Sequence, residues 1–187
     1  MSKQFKPKYV KKILITSTQV DKSIANAAKW LNKKFEHKNE TPLFVGVLRG
    51  SAPFFGNLIM KLNFDMTTDF LRISSFRGMK RVQDPKICDA LDTPVKGKHV
   101  VIVEDIVDSA KTMSLLVKML KRCKAKSITT VCLVDKPQAR QVKFKVSYAC
   151  NTLLGNPFLV GWGLDVHEKA RNLPYIAEFD KRYIDKV

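Results

Sequence analysis

Four consecutive β-branched residues, Val100 to Val103, run straight into Glu104-Asp105, then Asp108, then Ser109-Ala110-Lys111-Thr112. The apolar run is too short for a helix and reads as a strand buried on both faces, the pattern of a parallel sheet. Beyond the turn, Met113, Leu116, Val117 and Leu120 recur at helical spacing. A buried strand that ends in carboxylates and then opens a helix through small residues predicts an open α/β sheet. Ligands of such sheets sit outside the carboxyl ends of the strands.

The chemistry available to this turn is narrow. Free N–H groups at a helix start, with the hydroxyls of Ser109 and Thr112, make a seat for a phosphate. Glu104 and Asp105 would repel that phosphate, and suit sugar hydroxyls or a magnesium ion held through water. Asp108, at the turn itself, could take a proton from a bound ligand. A ligand with a phosphate, a ribose diol and an acidic proton is a nucleotide or its precursor. A Walker-type loop does not fit, because Ala110 precedes Lys111 and acidic residues stand where glycines are needed. A merely solvated acidic turn explains poorly why three carboxylates and two hydroxyls crowd into nine residues of a chain with net charge +17.

That charge raises nucleic acid as a partner. Its lysines are dispersed, however: Lys3 to Lys12 at the start, Lys33, Lys34 and Lys38 in a loop, and Lys118, Lys121 and Lys124 on one helix. No zinc finger, recognition helix or aromatic–basic motif accompanies them, and a polyanionic substrate accounts for most of the excess. A length of 187 residues suits one domain with a substantial core. No apolar run approaches the ~18 residues of a spanning helix. The start, Met-Ser-Lys-Gln-Phe-Lys-Pro-Lys, lacks the apolar stretch of a secretory signal, and Ile-Asp-Lys-Val is not a peroxisomal address. The expected location is cytoplasmic, with no membrane association. Cys88, Cys123, Cys132 and Cys150 are widely spaced and expected to be reduced thiols, Cys132 and Cys150 in the core. With His37, His99 and His167 they form no zinc-ligand spacing.

Taken in order, the chain opens with a basic segment holding a strand-like Lys-Ile-Leu-Ile-Thr, after which Asp21 is the expected N-cap of a helix. Ile24, Ala27, Ala28, Leu31 and Phe35 form that helix's apolar face. Leu43 to Leu48 reads as a strand ending in Arg49-Gly50-Ser51, followed by a helix with Pro53 in its first turn. Thr67 to Ser74 is another strand, and the long polar connection from Ser75-Phe76 to Lys98 has the length of a lid or binding loop. Ser127 to Val134 reads as a strand ending in Asp135-Lys136-Pro137, and Asn172 to Phe179 as a final one. By residue physics alone, Gly50 is a turn residue, Lys136 a solvated lysine before Pro137, and Trp162 core packing.

The stretch Val-Ile-Val-Glu-Asp-Ile-Val-Asp-Ser-Ala-Lys-Thr closely resembles the phosphoribosyl-pyrophosphate signature of the type I phosphoribosyltransferases, in the variant of the 6-oxopurine (hypoxanthine-guanine) enzymes. The family's usual residue at the place of Ala110 is Gly, which permits a backbone angle that Ala resists. Further motifs follow in the family's order over roughly residues 43 to 179. The resemblance implies a parallel twisted sheet flanked by helices, plus a small hood. It makes residues 1–187 a single domain, with a core of about 40–155 and a hood from about 1–20 and 156–187. It implies magnesium-dependent transfer of a 5-phosphoribosyl group from phosphoribosyl pyrophosphate to hypoxanthine or guanine, by a homodimer or homotetramer.

The resemblance also assigns roles. Arg49 and Gly50 grip pyrophosphate in a loop whose peptide is cis in the family, and Arg171 contacts the same group. Glu104 and Asp105 orient the ribose diol. The run Ser109, Ala110, Lys111 and Thr112 anchors the 5-phosphate, and Asp108 is the catalytic base. Lys136 reads the purine 6-oxo group, since lysine only donates and would reject a 6-amino group. Phe158 stacks on the purine and Leu159 presents backbone groups to its edge. Asp165, beside the base, holds magnesium together with Glu104 and Asp105. Ser75 and Phe76 begin the lid, where Phe76 replaces the family's Tyr. Some regulators reuse this fold as a nucleotide sensor on nucleic acid, which is the alternative function.

Overall fold

The four apolar residues are the middle of a longer strand. In the computed structural model, which describes residues 5–72 and 91–187, β4 spans His99–Val107. Its side chains alternate between two cores. Val101 and Val103 face one, with Ile24, Leu31, Phe54 and Phe55. Val100, Ile102 and Val107 face the other, with Met113, Leu116 and Leu120. A strand with helices on both sides has no solvent face, which is why its sequence is continuously apolar.

Those helices are α1 (Ser17–Phe35) and α2 (Ala52–Ile59) on one face, and α3 (Lys111–Arg122) on the other. The first starts earlier than expected: Thr16, not Asp21, is the N-cap. The Thr16 hydroxyl accepts from the Gln19 N–H, and Gln19 Oε1 accepts from the Thr16 N–H at 2.9 Å, a reciprocal capping box. This also brings Val20 onto the buried face. On α3 the buried residues are Met113, Leu116, Met119 and Leu120, with Val117 only half-buried.

Among the described residues, β2 (Leu43–Leu48), β3 (Thr67–Arg72), β4, β5 (Ser127–Asp135) and β6 (Tyr148–Thr152) form a parallel sheet in the order β3-β2-β4-β5-β6. The chain leaves β2 for β3 on one side and returns to β4 on the other. The order therefore reverses between β2 and β4, and the crevice there is where such sheets bind ligands. The loops leaving these two strands carry Arg49-Gly50 and Asp108 to Lys111.

A second sheet joins both ends of the chain. β1 (Val10–Ile15) pairs antiparallel with β8 (Ile176–Phe179), which also pairs with β7 (Leu159–Val160). Val10, Val160, Leu173, Tyr175 and Phe179 bury a small core of their own beneath it. The final strand is thus shorter than the expected Asn172 to Phe179. Cys132 and Cys150 are free, and burial pushes the Cys150 thiol up to about 12. The lid residues Ser75 and Phe76, with Cys88, lie outside the described residues. No described helix is long and apolar enough to cross a membrane.

Candidate active site

The turn after β4 is built around a left-handed residue. Ala110 takes φ 61°, the angle that glycine adopts freely and alanine resists, and it serves as the N-cap of α3 with no side-chain cap. Ser109 Oγ accepts weakly from the Lys111 N–H at 3.4 Å. The resulting hollow, about 230 Å³, is lined by Glu104, Asp105, Asp108, Ser109, Ala110 and Thr112 among others. The backbone amides at its floor have the character of an anion seat.

Glu104 and Asp105 lie inside β4 rather than beyond its end. Glu104 is buried, and its carboxyl is pushed well above the ordinary carboxylate range by that burial and then by the neighbouring Asp105 charge. Burial also raises Asp105, whose Oδ1 accepts from the Ile106 N–H at 2.7 Å. The other Asp105 oxygen lies against Gly50, where a Cβ would come within 1.6 Å of it. Gly163, at φ 95°, packs its own Cα on the Gly50 carbonyl, where a Cβ would meet the oxygen at 2.0 Å. Three chain segments thus meet at Gly50, the Asp105 carboxylate on one side and the Gly163 backbone on the other, and glycine at positions 50 and 163 leaves room for both contacts. The peptide Leu48–Arg49 is cis, immediately ahead of the Arg49-Gly50 pair.

Two clusters of opposite charge flank this junction. In the first, Lys136 is buried at 3% exposure and donates to Asp108 Oδ2 at 3.0 Å, to the Pro157 carbonyl at 3.1 Å and to Asn156 Oδ1. An ammonium has three donors, so all are engaged. Asn156 and Pro157 also line a second hollow of about 480 Å³ with Phe158. The Phe158 ring is 39% exposed and meets Phe179 edge-on at 5.5 Å. Leu159 is buried in β7, paired with Glu178.

In the second cluster, Arg171 donates to the Gly163 carbonyl at 2.7 Å and pairs with Asp165 Oδ1 at 2.9 Å. Arg171 and Arg49 both reach the same oxygen of Glu168, at 3.0 and 2.8 Å. The structure therefore brings Asp108 together with Lys136, Asp105 with Gly50, and Asp165 with Arg171. Lys111 is exposed and is not among the residues that line the hollow of Glu104, Asp105 and Ala110. Trp162 is partly buried against the core and donates to the Pro174 carbonyl at 3.0 Å.

The profile of the phosphoribosyl transferase domain matches residues 16–169. The hypoxanthine-guanine phosphoribosyltransferase of Mycoplasma genitalium is 36% identical over 172 residues, 91% of this chain and 97% of the relative. The chain belongs to this family. It is also 38% identical over 169 residues to the bifunctional protein TilS/HprT of Listeria monocytogenes, but spans only 26% of that protein's length. In three dimensions it is similar to a mutant hypoxanthine phosphoribosyltransferase of Trypanosoma cruzi complexed with the product IMP. The TM-score is 0.85 at 28% identity, covering 97% of this chain and 96% of the other.

Three residues of this site escape a reading of the sequence motifs. Arg140 donates to the carbonyls of Val107, Asp108 and Lys136 at 2.6, 2.7 and 3.3 Å, and pairs with Asp135. It ties the turn that carries Asp108 to the one that carries Lys136. Asn156 caps the Lys136 ammonium, and Glu168 bridges two arginines. Each also acts through a contact distant in sequence, Arg140 on Val107 and Asp108, Asn156 on Lys136, and Glu168 on Arg49. The one sequence signal is for Glu168, an acid lying between Asp165 and Arg171.

Proposed function

We propose that the chain is a hypoxanthine-guanine phosphoribosyltransferase of purine salvage. It transfers the 5-phosphoribosyl group of phosphoribosyl pyrophosphate to a ring nitrogen of hypoxanthine or guanine, giving the nucleotide and pyrophosphate. The observation that carries this reading is the 3.0 Å contact between Asp108 and Lys136 at the rim of the phosphate hollow. A proton acceptor and a donor to a 6-oxo group are thereby joined beside an anion seat, as a 6-oxopurine and a sugar phosphate together require.

Among the described residues, no three acidic, histidine or cysteine side chains converge as ligands for a metal. Separate carboxylates, Asp165 beside Arg171 and Glu104 and Asp105 in β4, fit a magnesium ion that arrives with its substrate and keeps several waters. Those residues would hold it, and the ion, when bound, would neutralise charge on the diphosphate.

The remaining steps belong to the chain itself. Arg49 and Arg171 bind the diphosphate and stabilise it as a leaving group when the anomeric carbon–oxygen bond breaks. Ser109, Ala110, Lys111 and Thr112 hold the 5-phosphate through their amides and hydroxyls. Glu104 and Asp105 orient the ribose diol. Phe158 stacks on the purine and Leu159 meets its edge. Lys136 gives one of its donors to the 6-oxo oxygen, which releases Asp108. The purine nitrogen then forms the new bond to the anomeric carbon, and its proton passes to Asp108. The enzyme works in the cytoplasm as a homodimer or homotetramer on these small molecules, not on nucleic acid.

Steady-state assays with phosphoribosyl pyrophosphate, magnesium and each of hypoxanthine, guanine, xanthine and adenine test the reading. Turnover is expected with hypoxanthine and guanine and not with adenine. Asp108→Asn is expected to lower kcat by about 100-fold or more, with binding of phosphoribosyl pyrophosphate retained. An Asn variant that turns over normally removes Asp108 from proton transfer.

A further inference from the structure

Glu168 stands in a place that costs backbone energy to reach. Val166 and Lys169 pair across a two-residue turn, the Lys169 N–H donating to the Val166 carbonyl at 2.9 Å and the Val166 N–H to the Lys169 carbonyl at 3.2 Å. The central residues His167 and Glu168 both have positive φ, 48° and 65°. Primed hairpin turns need such angles and normally use Asn or Gly to reach them, whereas a larger L-residue there is disfavoured. Strain of this kind persists where the surroundings over-determine it. Here Asp165 Oδ2 accepts from the Glu168 N–H at 3.0 Å, and the carboxylate is fastened by Arg49 and Arg171.

A single oxygen, Oε2, receives both guanidinium groups, at 2.8 and 3.0 Å. Arg49 lies on the loop after β2 and Arg171 in the segment between β7 and β8, so the carboxylate ties these two segments together. Its side chain is 62% exposed, open to displacement from the solvent side. The two cations it joins are those assigned above to the diphosphate.

We infer that Glu168 is an internal stand-in for pyrophosphate. Its carboxylate occupies the two arginines in the empty site, is displaced by the incoming diphosphate, and reclaims the arginines as pyrophosphate leaves. It is a positioning residue that competes with substrate and favours product release. The inference rests on the assignment of Arg49 and Arg171 to the diphosphate.

Removing the negative charge while keeping the side chain's size isolates the competition. In Glu168→Gln, calorimetry with magnesium pyrophosphate is expected to show binding about three- to tenfold tighter than in the wild type, the scale of releasing two exposed ion pairs. KM for phosphoribosyl pyrophosphate falls by a similar factor, and KM for hypoxanthine does not move. Pyrophosphate affinity that is unchanged or weaker in the variant overturns the inference, as does an equal shift in both KM values, which marks a structural role. Failure of the wild type to bind pyrophosphate at all overturns the assignment of the site itself, and so separates the two.

Discussion

Ala110 holds a backbone conformation that suits glycine better, and that conformation has a cost. At φ 61° the methyl group is in the left-handed region, unfavourable for an L-residue by about 1–2 kcal/mol. Part of that is returned because alanine is stiffer than glycine in the unfolded chain. Ala110→Gly is therefore expected to raise stability by about 0.5–1 kcal/mol, seen as a higher denaturant midpoint with an unchanged slope. A lower midpoint would mean that the methyl, which is buried among Val107 and Met113, contributes more by packing than it loses by strain. Lys136 illustrates a different residue-level point. With every donor already engaged, it can take a new acceptor only by giving up Asp108, Asn156 or Pro157.

At the level of elements, the site depends on three loops being held in register. The turns after β4 and β5 are joined by Lys136 N–H to Val107 C=O at 3.0 Å and by Gln141 N–H to Ser109 C=O at 3.0 Å, with Arg140 driven between them. Replacing Arg140 by Met fills its volume but takes a donor from the Asp108 carbonyl and the Asp135 carboxylate, while the Val107 and Lys136 carbonyls keep their backbone partners. Arg140→Met is expected to destabilise the protein by about 2–4 kcal/mol. It should also lower kcat more than it raises either KM, because Asp108 and Lys136 lose their common support. Denaturant unfolding and steady-state kinetics on the same preparation check both. A stable variant with normal kcat would show that the backbone contacts alone suffice.

For the whole molecule, the buried acidic pair in β4 sets how stability responds to pH. Glu104 keeps its proton in the folded state well above its ordinary value of 4.5, because burial and Asp105 disfavour its charge. The unfolded chain releases that proton as pH passes the ordinary value. Between that value and the raised one the folded state binds more protons, so its stability falls as pH rises. Glu104→Gln removes this dependence. Its unfolding free energy relative to wild type is expected to improve steadily from pH 5 to pH 7, measured in urea without ligands. A difference that stays constant over that range would place the effect in packing rather than ionisation.

The same division by scale describes what could be read from residues in order. Local features were legible because they need only neighbours: Val100 to Val103 announce a doubly covered strand, and Ser109 to Thr112 a helix start. The apolar face from Ile24 to Phe35 announces α1, although the capping box at Thr16 shows that its true start was one turn earlier. The family motifs carried the rest of the architecture, including the hood sheet from the two chain ends. Nothing in the order of residues disclosed that Gly50, Gly163 and Asp105 interlock, that Arg140 pins two turns, or that Glu168 spans two arginines. Those contacts join positions up to 119 residues apart, and sequence periodicity carries no information at that range. Short-range sterics and hydrophobic spacing determined which strands and helices this chain makes and which end of the sheet bears its chemistry. Only tertiary packing decided which charges face one another across that end, because Coulomb and hydrogen-bond partners are chosen by distance in space.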